Sequence, residues 1–418
     1  MLQIKIWTTL TQRYFNGLFL FGVFVTSNLE RPAVAEQYAL TYSFAPPVTA
    51  TQKWSFGNAV ALHGNQVLVG GSNSRDFVDQ VFLFDATTGG LVHTFDDPGF
   101  VPGEQIGFGN AIAVSDQYVA IGDNGSGRVL LYDALTGLLI HEFNRTVVSG
   151  SNRFGRSVSL DNNRLLVGDN LDSTQGDRQG RAHLFDTISG NLLQSYDDPT
   201  ATRLNGFGVA VTSDIDRVLV GADEGDKAFL FSLSTGNLLQ TFDIGLDGQF
   251  GLSVAMSEDL VLIGAPSVRN GDSEGVAYLL DSLTGNVLQT FHPPGDDRPS
   301  KFGISVALVG SRALIGERGQ AHLFDAITGQ VVQTFFDPTP NELSDFGTQV
   351  AMDGNRILIG GSIAAFSSPL SGEAHLYSAV PEPTSLLLGS VGLAGVLLVR
   401  RRSKNPRESP LSTPFYCF

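Results

Sequence analysis

The stretch that decides the fold is Phe302–Pro338, FGISVALVGSRALIGERGQAHLFDAITGQVVQTFFDP. It holds four apolar runs, SVALV, RALIG, AHLFD and VVQTFF, separated by short links rich in polar residues and glycine. Runs of that length between such links read as an antiparallel meander. The opening Phe-Gly pair recurs in seven segments: FGNAVAL at Phe56, FGNAIAV at Phe108, FGRSVSL at Phe154, FGVAVTS at Phe207, FGLSVAM at Phe250, FGISVAL at Phe302 and FGTQVAM at Phe346. They stand 43 to 53 residues apart, the period of a four-stranded propeller blade. Both faces of the strands are apolar in several places, as needed when each blade packs on a neighbour at either side. The expected fold is all-β: a seven-bladed β-propeller of four-stranded antiparallel blades over residues 36–379, with blades starting near 56, 108, 154, 207, 250, 302 and 346.

The recurring residues suit those positions. Small Ala and Ser in the first strand avoid overpacking where blades crowd the axis. The Phe is a wedge between blades, and the Gly after it permits close backbone approach or a positive φ. In D-x-x-T-G, the Asp (Asp85, Asp133, Asp186, Asp281, Asp325) bonds its own turn backbone, a structural role. His183, His322 and His375 share one repeat position with Phe82, Leu130, Phe229 and Tyr278, so packing is expected there ahead of a metal ring. The seventh repeat, ending in GEAHLYS, lacks a fourth strand, and YALTYSF (38–44) lacks a blade. The N-terminal strand is therefore expected to complete the last blade and close the ring.

The Phe-Gly pairs and the IGAP of Ile263–Pro266 resemble the FG-GAP repeat family across about residues 54–378. That resemblance implies a propeller. Calcium-binding members carry a D-x-D-x-D-G loop between the first two strands, whereas here the links are only HGNQ, SDQY, DNNR, SDIDR, SEDL, VGSR and DGNR. Asp214 with Asp216 comes nearest and lacks the third acid and the Gly. No cofactor is expected, and loosely held calcium is the only one left open.

In such a blade the links between strands one and two and between three and four fall on one face, and all are short. The longer, irregular links fall on the other, where binding usually resides. They are acidic: Asp96, Asp97, Asp123, Asp172, Asp197, Asp198, Asp223, Glu224, Asp226, Asp272, Asp296 and Asp297. This rim is a candidate site for a cation, a glycan or a partner protein, against the plain reading of a solvated acidic edge.

The termini differ in composition. Residues 1–35 read as a signal peptide, with Lys5 and Arg13, an apolar run, and Ala33 and Ala35 before a cleavage point at Glu36. At the other end, VPEPTSLLLGSVGLAGVLLVRRR resembles a PEP-CTERM sorting signal (380–403): Pro381-Glu382-Pro383, an apolar segment (384–399) short for a membrane helix, then Arg400, Arg401 and Arg402. The resemblance implies export, recognition by an exosortase-type processing enzyme, and a link to exopolysaccharide. Residues 404–418 form a cytoplasmic or removed tail, and they hold the only cysteine, Cys417. Both ends are basic, so the exported part is more acidic than the whole chain's −16. Nucleic acid is excluded as a partner on that ground. Two functions remain open: an exported, non-enzymatic surface or matrix-binding module tethered at least transiently in the inner membrane, with exopolysaccharide or another envelope protein as partner, and a polysaccharide-acting enzyme with channel carboxylates.

Overall fold

The computed structural model describes residues 37–380 apart from 48–54, 74–77, 100–106, 146–152, 162, 175–177, 201–204, 246–247, 268–274, 296–299, 340–344 and 363–371. The chain divides into Met1–Ala35 and Glu36–Phe418, and only the second unit contains described residues. The signal peptide with Ala33 and Ala35, the motif residues Pro381, Glu382, Pro383, Arg400, Arg401 and Arg402, the apolar segment 384–399 and the tail lie outside them. Among the described residues, no helix is long and apolar enough to cross a membrane.

Seven four-stranded antiparallel sheets form the propeller. Six are built from consecutive strands. The seventh takes Gln349–Asp353, Arg356–Gly361 and Glu373–Ala379 from the end of the chain and Tyr38–Phe44 from its start. The expected ring closure is therefore present, with Tyr38 opposite Ala379 and Phe44 opposite Ala374. The Gln333 side chain binds the backbone of Tyr38 at both ends, accepting from its N–H at 2.8 Å and donating to its carbonyl at 2.9 Å. The Phe44 ring lies 4.7 Å from Phe84 of blade one.

Two-residue periodicity divides the core. In blade one, Leu68 and Leu83 face blade two, while Val67, Val69, Phe82 and Phe84 face blade seven. The same alternation round the ring gives seven apolar clusters, each shared by two adjacent blades. The second strands, buried on both faces, are apolar through their middle residues.

The Phe-Gly pair sits at these seams. All seven Phe rings are at most 2% exposed, and all seven glycines have positive φ, between 80° and 99°. Each glycine abuts the third strand of the preceding blade: a Cβ on Gly303 would stand 2.7 Å from the Val276 carbonyl oxygen. The glycine closing each second strand makes the complementary approach. At Gly70, Gly122, Gly168, Gly221, Gly264, Gly316 and Gly360, a methyl group would overlap the carbonyl oxygen of the next blade's Phe-Gly glycine.

Outer strands are managed as exposed edges. Each pairing of the third and fourth strands carries a register shift at the same place, between Leu83 and Phe84 in blade one and at its equivalents elsewhere. Such bulges twist an edge away from pairing with another chain.

Gly303→Ala and Gly310→Ala separate close approach from backbone freedom. Gly310 also has positive φ, 53°, but open space where its Cβ would stand. Thermal or denaturant melts should place Gly310→Ala about 1–2 kcal/mol below the parent. Gly303→Ala should fall further by about 1–3 kcal/mol for the overlap.

Candidate functional site

The long-link face (the loop face) holds the predicted acidic rim, and the structure scatters those acids into separate pairings. Arg128, which opens the third strand of blade two, gathers several. Its Nε donates to buried Asp123 at 2.8 Å, its Nη2 reaches Asp97 from blade one's outgoing link, and Glu142 lies 3.7 Å away. Arg145, in the link to blade three, donates to Asp169 at 2.7 Å and pairs with Asp172 at 2.9 Å. Burial pushes the Asp172 carboxyl up, but the facing His183 ring, hydrogen bonds from Thr174 and the Arg145 charge outweigh it and hold it at about 2. Burial pushes Asp169 up despite the same arginine. Asp197 pairs with Arg181 at 2.6 Å.

The rest act within loops. Asp96 accepts from the Gln80 side chain. Asp198 accepts from the Thr200 N–H at 2.8 Å and the Asn205 amide at 2.8 Å. Asp226, in the left-handed region, accepts from the N–H of Gly248 and of Phe250, placing the next Phe-Gly pair. Asp223 is buried, and burial with the adjacent exposed Glu224 pushes its carboxyl up to about 6. Asp272, Asp296 and Asp297 lie outside the described residues. Among the described residues, no three His, Cys, Asp or Glu side chains converge as a metal site.

Sequence reasoning missed the cations. Arg128, Arg181 and Lys227 all open a third strand; Arg181 pairs with Asp197, the last residue of its neighbouring outer strand, and Lys227 with Asp243, the residue just after its own. That repeat position carries the signal.

The shared His position is a packing site with a polar edge. Rings of Phe154, Phe302 and Phe346 lie 5.7–5.9 Å from His183, His322 and His375. Each Nδ1 meets a hydroxyl of the outer strand at 2.9–3.0 Å: Ser195, Thr334 and Ser43. Each Nε2 faces an acid: Asp172 at 3.8 Å, Glu317 at 3.1 Å and Glu373 at 3.7 Å. Desolvation lowers His375 to about 4. These chains resemble a hydrolase triad in composition only. The same position in other blades is filled by Phe82, Phe229 and Tyr278, each packed on its own Phe.

The opposite face, made of short turns, is built differently. Asp85 Oδ1 accepts from the N–H groups of Thr87 and Thr88 and from the Thr88 hydroxyl, and these bonds hold its carboxyl below the usual range. Asp133, Asp186, Asp281 and Asp325 cap their turns likewise. Nearer the axis, the strand one to two links of blades one to three border an open cavity of about 340 Å³ lined by His63, Ser115, Asp116, Gln117, Leu160, Asp161 and Asn163. His63 Nε2 lies 3.3 Å from the Asp116 carboxylate. Burial, with Asp214 nearby, pushes the Asp161 carboxyl up.

Two measurements test this electrostatic layout. Arg145→Met leaves two buried carboxylates facing each other and should cost about 3–5 kcal/mol in denaturant melts. At His375, protons bind only the unfolded chain between its ordinary value near 6.5 and about 4, so stability falls as pH falls through that window. His375→Phe should remove roughly 3 kcal/mol of that loss between pH 7 and pH 4, read as the difference between parent and variant melts.

Family comparisons agree with this geometry. The FG-GAP repeat model matches residues 147–185 and 243–280, which cover the first three strands of blades three and five. The PEP-CTERM protein-sorting motif matches residues 379–402. No curated protein matches the chain. The motif implies an exported protein sorted to the envelope and processed by an exosortase. The chain is thus a seven-bladed β-propeller with FG-GAP repeats and a C-terminal PEP-CTERM sorting motif.

Proposed function

We propose that the propeller is a non-enzymatic binding module of the cell envelope, and that it takes a polysaccharide chain at the cavity between blades one and three. The carrying observation is the lining of that cavity: His63, Ser115, Gln117 and Asn163 offer both donors and acceptors beside apolar Leu160. That mixture suits hydroxyl groups, and about 340 Å³ lies at the small end of ligand cavities. The loop-face acids Asp97, Asp123, Asp172 and Asp197 agree with this reading, because arginines already engage them inside the fold. Residues 384–399 hold the protein in the inner membrane at least transiently, with Arg400–Arg402 on the cytoplasmic side. Exosortase then acts near Pro381–Pro383.

One observation favours the enzymatic alternative. Asp161, whose carboxyl is pushed up by burial, and Asp116 border the same cavity, and glycoside hydrolysis uses two carboxylates. A single experiment separates the two. The full chain in detergent is applied to a glycan array, and bound oligosaccharides are assayed for new reducing ends. Binding that drops at least tenfold in Gln117→Ala/Asn163→Ala, without product formation, supports the module. Product formation abolished by Asp161→Asn supports the enzyme, and binding indifferent to the cavity variants refutes the assignment of this site.

A further inference from the structure

The exposed apolar side chains are not spread evenly. Apart from Phe336, the large exposed apolar residues of the described propeller all lie on the turn face or on the half of an outer strand next to it. They include Ile215, 71% exposed in a strand one to two link, and a recurrent set at the tips of the D-x-x-T/S-G turns. Leu135 is 85% exposed, Leu283 83%, and Ile188 and Ile327 64% each. They occupy the same turn position in blades two, five, three and six, so they are distributed round the ring rather than gathered in one patch. Their turns are stapled by Asp133, Asp281, Asp186 and Asp325, which fixes the tips outward. Burying none of them, the fold gains nothing from their being apolar, and Thr87 and Ser234 fill the same place in blades one and four.

The chain leaves the ring on this same face. Glu373–Ala379 runs toward it, and Val380 donates its N–H to the Gln37 carbonyl at 2.7 Å. The apolar sequence begins at Leu386, six residues later, a length of chain that can reach at most about 22 Å. A propeller tethered that closely to a bilayer presents its turn face to the lipid.

We propose that the turn face docks on a lipid surface, with Leu135, Ile188, Leu283 and Ile327 seated in its headgroup and acyl boundary. A flat apolar boundary meets tips on opposite sides of a rigid ring at once. The links nearer the axis carry Asp116, Asp161, Asp214, Asp259 and Asp353, which disfavours anionic lipid and points to a zwitterionic surface. The inference rests on the proposed anchoring by residues 384–399, and it makes the two occupants of this face successive: the cavity is covered while the chain is docked and opens to polysaccharide once cleavage near Pro381–Pro383 releases the propeller.

The test uses the full chain with Cys417→Ser, reconstituted with phosphatidylcholine vesicles. Single cysteines replacing Leu135, Leu283 or the loop-face Glu224 carry an environment-sensitive fluorophore, and vesicle flotation is measured in parallel. The proposal expects probes at 135 and 283 to be blue-shifted and at least twofold more quenched by a lipid-borne quencher than the probe at 224. Flotation with all three probes equally aqueous overturns the docking while leaving the anchor intact. Failure to float overturns both. Tip probes that blue-shift without lipid as protein concentration rises assign the face to a second copy and overturn the lipid assignment.

Discussion

Everything in this structure depends on how closely two backbones approach at the inner edge of each blade. A glycine ending one second strand lies against the carbonyl of the next blade's Phe-Gly glycine, and that glycine lies against the third strand behind it. With a side chain at either place the blades would stand further apart, and the ring would no longer close at seven. The Phe rings then fill the space that the glycines define. Packing and backbone geometry are thus one constraint, repeated at every seam.

Because each core cluster belongs to two blades, no blade has a complete core of its own. Stability is cooperative around the ring, and the polar groups inside it are placed to keep neighbours aligned. Arg128 joins blade one's outgoing link to blade two, and Arg145 joins the following link to blade three. On the outside, His93 and His141 reach across to the backbone carbonyls of Leu135 and Ile188 in the adjoining blades. An acidic surface with arginines embedded in it is therefore mortar between blades.

The sequence made the architecture legible because its demands are local and repeated. A positive φ calls for Gly at Gly303, a turn calls for Asp at Asp325, and an unpaired GEAHLYS calls for a missing strand. Glycines closing the second strands were visible too, in VLVGG or VLIGA, but the reason for them lies in a neighbouring blade. The site was far less legible. Arg145 stands in an irregular link, and nothing periodic connects it to Asp169 and Asp172. The cavity draws on HGNQ, SDQY and DNNR, three links that read separately as plain turns and acquire meaning only when three blades bring them together. The charge pattern drew attention to the loop face, whereas the cavity and the apolar tips both belong to the turn face.

The ring seam also sets an order of events. Thr41 and Ser378 share a hydrogen bond across 337 residues of chain. A polypeptide crossing a membrane N-terminus first delivers Tyr38–Phe44 at the outset, yet the strand it pairs with arrives last. Until then Tyr38–Phe44 has no strand to pair with, and the circle stays open. Closure thus reports that the whole repeat array has arrived. The segment that follows the final strand is the sorting motif, so the molecule becomes complete just as its address comes into reach, and a truncated or stalled chain would present neither.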